Sequence, residues 1–66
     1  MVKYRLLFND GIVITDVDTP TLEQAKQYFV DYLHDVFTKI NPNAQYAQKP
    51  YISKMIDNDY VIETCS

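Results

Sequence analysis

Chemistry in this chain can start from only a few residues. Asp31, His34 and Asp35 sit close together, and Asp31 and His34 are three positions apart, which makes their side chains neighbours on a helix surface. A carboxylate and an imidazole so placed could each offer a ligand to a divalent ion. A structural zinc site needs a fuller set, and a chain with one His and one Cys cannot complete it alone. The plainer reading is a solvated helix face, and no metal is expected. Asp16 and Asp18 flank Val17, so on a strand they share a face at about 6.6 Å. Paired carboxylates can split their pKa values and work as acid and base, yet Lys3 and Arg5 stand ready to neutralise both. Cys65 and His34 fall on different elements, and Ser53, Ser66 and the threonines carry no nucleophile motif. Cys65 reads as a small apolar residue on a strand. The single glycine excludes glycine-rich phosphate loops and dinucleotide fingerprints. The expectation is a chain without catalytic residues, cofactor or small-molecule substrate.

The elements that would position these residues follow from periodicity. From Val2 to Phe8 the residues alternate, with Val2, Tyr4, Leu6 and Phe8 on one side and Lys3, Arg5 and Leu7 on the other, as in a half-buried strand. Asp10-Gly11 between two β-prone runs signals a hairpin. A two-residue loop places Arg5 opposite Asp16 and Lys3 opposite Asp18, each pair contributing roughly 0.2–1 kcal/mol. A three-residue loop places Phe8 beside Ile12 and Leu6 beside Ile14, and loses the charge match. The charges favour the shorter loop. Pro20 suits the first helical position with Thr19 as cap, and Thr21 with Gln24 offers an alternative capping box. Leu22, Ala25, Phe29, Tyr32, Leu33, Val36 and Ile40 recur at helical spacing. Asn41-Pro42 ends that helix.

Residues 43–50 show no clear period and read as a loop. Tyr51 to Asp57 and Tyr60 to Cys65 then read as a second hairpin turning at Asn58-Asp59, with Lys54 opposite Glu63. The fold expected is α+β, in the order β-β-α-β-β. It is a four-stranded antiparallel sheet with one helix packed on one face, a two-layer sandwich forming a single domain over residues 1–66.

With 66 residues, a net charge of −3 and 47% hydrophobic residues, the chain has a globular balance and a small core. No apolar run reaches the length of a membrane span, and the N-terminal apolar run is too short for a secretory signal. The lone cysteine points to a reducing, cytoplasmic setting. The six basic residues are scattered rather than gathered on one face, which disfavours a phosphate backbone as partner. The alternative is a nucleic-acid-binding sheet that uses Tyr4, Tyr51 and Tyr60 with Lys3, Arg5, Lys49 and Lys54.

One helix cannot be covered all round by four strands. Val30 and Phe37 lie off the main stripe and Tyr28 widens it, while Leu7, Ile12 and Ile14 lack a cover on the sheet. With Asp31, His34 and Asp35 beside them, these residues are the candidate partner-binding set. The expectation is a protein-interaction module, homodimeric, that inhibits or regulates a partner protein. Its acidic residues would face a basic surface, for instance on a nucleic-acid-handling enzyme. Size, acidity, one cysteine and the lack of a catalytic motif resemble small accessory proteins of phages and mobile elements, a likeness of style that rests on no particular residue.

Overall fold

The computed structural model describes residues 1–65. Strands β1 (Val2–Phe8) and β2 (Val13–Thr19) form a hairpin, and helix α1 (Leu22–Ile40) follows. A 3-10 turn at Gln45–Ala47 leads into helix α2 (Lys49–Asp59), which runs without a loop into β3 (Tyr60–Cys65). The sheet is three-stranded and antiparallel in the order β2-β1-β3, so β1 is central. The fold is α+β, but the expected four-stranded sheet with one helix is corrected to three strands and two helices.

The correction lies in residues 49–59. Ile52 and Ile56 are buried and Met55 packs against the same core. That i, i+3, i+4 spacing is one helix face. The strand reading of Tyr51 to Asp57 rests on a turn at Asn58-Asp59 and a Lys54–Glu63 charge match, not on a period within the segment. Pro50 settles the matter locally, because it sits in the first turn of α2, where a missing N–H leaves no bond unmade. Asn58 and Asp59 end the helix rather than form a hairpin turn. Lys54 therefore does not face Glu63, whose cross-strand neighbour is Arg5.

The first hairpin combines both candidate registers. Lys3 faces Asp18 and Arg5 faces Asp16, as a two-residue loop requires, but Leu7 faces Val13. Nearer the tip the Phe8 N–H donates to the Ile12 carbonyl at 2.9 Å and the Gly11 N–H donates to the Phe8 carbonyl at 2.9 Å, a three-residue loop. A bulge at Ile14, opposite the Leu6–Leu7 step, absorbs the extra residue. Gly11 takes φ +94°, a conformation open to glycine at low cost, and Asp10 Oδ1 accepts from the Ile12 N–H at 3.1 Å.

Helix α1 starts at the alternative cap. Thr21 is extended (φ −138°, ψ 158°) and its hydroxyl accepts from the Gln24 N–H at 3.2 Å, while Pro20 and Thr19 stay outside the helix. Both helices pack on the sheet face that carries Tyr4 and Leu6, in a core completed by Ala25, Phe29, Val30, Leu33, Ile52 and Ile56. α2 retraces α1 antiparallel. Lys26 Nζ lies 2.8 Å from Asp57, Lys49 Nζ 3.1 Å from Asp31, and the Phe37 and Tyr46 rings meet edge to face at 5.6 Å. α2 thus occupies the flank where an uncovered apolar strip is expected. Val30 is buried and Phe37 is half-buried.

Ile52 has no exposed surface and joins α2 to the rest of the core. Ile52→Val should cost about 0.5–1.5 kcal/mol and leave the fold intact, whereas Ile52→Ala should cost about 2–5 kcal/mol. The latter approaches the whole stability of so small a core, roughly 3–5 kcal/mol. Urea unfolding followed by circular dichroism would check this, and equal midpoints for the two variants would contradict the placement of α2 in the core.

Candidate functional site

The helix residues expected to meet a partner are largely engaged within the chain. Asp31 pairs with Lys49, and Asp35 pairs with Lys39 one turn on at 3.2 Å. His34 Nδ1 lies 2.6 Å from the Ala47 carbonyl, which can only accept, so the ring carries its proton on that nitrogen. The backbone carbonyl of His34 in turn accepts from the Thr38 hydroxyl at 2.7 Å. Asp31, His34 and Phe37 thus fasten the 3-10 turn and the start of α2 onto α1, a structural task for Asp31 and His34, whose spacing suggests metal chemistry. Among the described residues no group of three His, Cys, Asp or Glu side chains gathers as a metal site would need. Tyr28 remains exposed, with Tyr32 one turn away.

The sheet residues behave differently, because both helices lie on the opposite face. Three cross-strand rows stand on the bare side: Asp18, Lys3 and Cys65; Asp16, Arg5 and Glu63; Val13, Leu7 and Val61. Arg5 and Asp16 make a two-pronged pair at 2.8 and 3.1 Å. The hydrogen bond from Arg5 holds the Asp16 carboxyl below its ordinary pKa; desolvation opposes it, and the charges of Arg5 and then Lys3 add to the lowering. The same hydrogen bond and the Asp16 charge raise the Arg5 guanidinium further. Lys3, Asp18 and Glu63 have no ion-pair partner among the described residues. In the third row Leu7 is only 8% exposed with no element above it, because Val13 and Val61 flank it at 49% and 43% exposure. Ile12, at the hairpin tip, is exposed, whereas the bulge at Ile14 lets that side chain pack against the core.

The other side of the sheet has an incomplete cover along β3. Leu22 and Lys26 of α1, Ile56 of α2, and Tyr60 and Ile62 of β3 line a cleft of about 530 Å³. At its end Tyr60 stacks on Phe8 with ring centroids 4.9 Å apart. Burial, and then the neighbouring Asp59 carboxylate, push the Tyr60 phenol above its ordinary pKa.

Periodicity did not single out Val13 and Val61. Val13 joins the Leu7 row only through the bulge, and Val61 only because β3 pairs with β1. The tyrosines of the nucleic-acid alternative do not share a face. Tyr4 is buried under the helices, Tyr51 is exposed on α2, and Tyr60 stacks beside the cleft. Among the described residues no helix is long and apolar enough to cross a membrane. No family model, curated protein or solved structure matches the chain at a significant level.

The Arg5–Asp16 pair gives a pH signature with a definite sign. A carboxyl held below its unfolded pKa, about 4, stabilises the fold above that pH and loses the effect as pH falls through the folded value. Asp16→Asn should therefore lower the melting temperature slightly at pH 7, and the gap should close below about pH 4. The gap should also narrow at 1 M salt, where the Debye length is about 3 Å. A gap that persists at pH 2.5 would assign the effect to something other than the charge.

Proposed function

We propose that this protein is a non-enzymatic interaction module that works as a homodimer, with the bare sheet face as the contact between copies, and that the dimer regulates a partner protein. The row of Val13, Leu7 and Val61 carries this reading, since a side chain as buried as Leu7 is flanked by valines that remain open to water. Stacked sheets lie about 10 Å apart and interdigitate such side chains. A two-fold contact uses the same patch twice, so the apolar row would meet its own copy. The charged rows suit the same contact. Lys3 is free of an ion pair among the described residues, as are Asp18 and Glu63, so opposite charges are available across a two-fold axis.

The non-enzymatic reading draws support from the one carboxylate among the described residues whose environment clearly shifts it. Asp16, whose carboxyl is held below its ordinary pKa, is committed to Arg5 on an open sheet surface. A carboxylate held ionised by an ion pair on an open surface is poorly placed to take up or give a proton near neutral pH.

Sedimentation equilibrium between 5 and 200 µM tests the proposal. The expected mass is twice 7.7 kDa, falling to 7.7 kDa for Val13→Asp and for Val61→Asp. Both positions are exposed, so circular dichroism should show an unchanged fold. A wild-type chain that stays at 7.7 kDa throughout, or a dimer indifferent to both substitutions, would refute it.

A further inference from the structure

We propose that the free edge of β3 is a docking site for an extended, basic segment of a partner protein, which adds to the sheet as a fourth strand. This rests on the reading of the chain as an interaction module and names what that module would hold. Edge strands leave a row of N–H and C=O groups without partners, and proteins usually blunt them with charge, bulges or proline. The two edges of this sheet differ in that respect. β2 carries Asp16 and Asp18 on one face and a bulge at Ile14. β3 reads Tyr-Val-Ile-Glu-Thr-Cys, pairs with β1 without a register shift, and has one charge, Glu63. Among the described residues, the backbone of Val61–Cys65 makes no hydrogen bond outside its ladder with β1.

The cleft beside β3 gives such a strand somewhere to put its side chains. Alternate residues of an added strand point to the helix side of the sheet. There the cleft offers apolar surface from Leu22 and Ile62, above the buried Ile56. The other residues point to the bare side, next to Glu63.

Charge selects the occupant. Lys26 at the cleft is committed to Asp57, while Glu23 on the cleft rim, Asp59 at the start of the strand and Glu63 within it have no ion-pair partner among the described residues. These carboxylates favour lysine or arginine on the incoming segment. A second copy would bring the same carboxylates and a charge of −3 to the edge, so pairing of β3 with its own copy is disfavoured. Single rim charges add little affinity but set on-rate and salt dependence.

The probe is an acetylated, amidated heptapeptide alternating lysine and valine, followed by amide chemical shifts of the 15N-labelled protein. Expected are shifts along Val61–Cys65 and at Leu22 and Ile56, with affinity falling steeply as salt rises. Affinity should drop about tenfold or more when alternate peptide nitrogens on the bonding edge are methylated. It should drop again for Glu63→Lys, and a glutamate-for-lysine peptide should fail to bind. Leu22→Ser, at an exposed position, should weaken binding without altering the fold. Equal binding by the methylated peptide, shifts confined to β2 or to the bare face, or no binding at low salt would each overturn the proposal. So would β3 amides already protected by a second copy in the free protein. Repeating the titration on Val13→Asp, which leaves β3 untouched, separates this site from the sheet-face contact. Binding kept there supports the edge site even if the wild type proves monomeric.

Discussion

The structure depends on one strand being satisfied on both edges and one face. β1 lies between β2 and β3, and its Leu6 side chain is fully enclosed beneath the helices. A hairpin supplies the first partner cheaply, since only a short turn separates β1 from β2. The second partner must come from the far end of the chain, arriving antiparallel at Phe8, where Tyr60 sits. α1 spans about 28 Å at 1.5 Å per residue and leads away from the β2 end. α2 brings the chain back and passes directly into β3. Because no loop separates α2 from β3, the seating of α2 on α1 also sets where the last strand begins.

Magnitudes decide what seats α2. Its polar ties to α1 form an ordered ladder: Lys26 to Asp57, Asp31 to Lys49, His34 to the Ala47 carbonyl. The ion pairs are well exposed, and such pairs contribute about 0–1 kcal/mol each. Burying an aliphatic side chain contributes about 1.5–3 kcal/mol, and Ile52, Ile56 and Val30 all share one cluster. The apolar contacts hold the helix pair together, and the polar ties choose its register among alternatives that would bury similar area.

What could be read from the sequence follows from the same division. Local signals identified β1, the first hairpin and α1, because each is specified by its own alternation, turn residues or stripe. Charge pairing gives the right register for Arg5 with Asp16 and Lys3 with Asp18, but not the shorter loop it favours: the tip closes through three residues, and Leu6 faces Thr15 where the longer loop would place Ile14. The bulge at Ile14 lets the charge-paired register and the longer loop coexist in one hairpin. The strand reading of residues 51–57 rests on a charge match across a supposed turn, whereas the apolar pairs Tyr51-Ile52 and Met55-Ile56 recur at helical spacing, and that reading misses a second helix. That error also hid why Val30 and Phe37 need no partner from outside. The outer row of Val13, Leu7 and Val61 depends on a pairing between distant segments, which no local pattern encodes.

Open surface on this molecule is therefore arranged by topology rather than by composition. Three strands with both helices on one side leave the opposite side bare, and ending the sheet at β3 leaves an edge whose neighbour on the helix side is a partly filled cleft. The two features face different directions. An occupant of the bare side meets side chains of Leu7, Val13 and Val61, whereas an occupant of the edge meets backbone groups of β3 and the cleft. Their chemistry differs as well. The bare side carries both signs of charge around an apolar row, which suits a copy of itself. The edge is bordered by carboxylates and suits a basic strand. A sheet extended by such a strand would also lengthen each row on the bare side by one side chain, so an edge partner and the proposed contact between copies would not compete for the same surface.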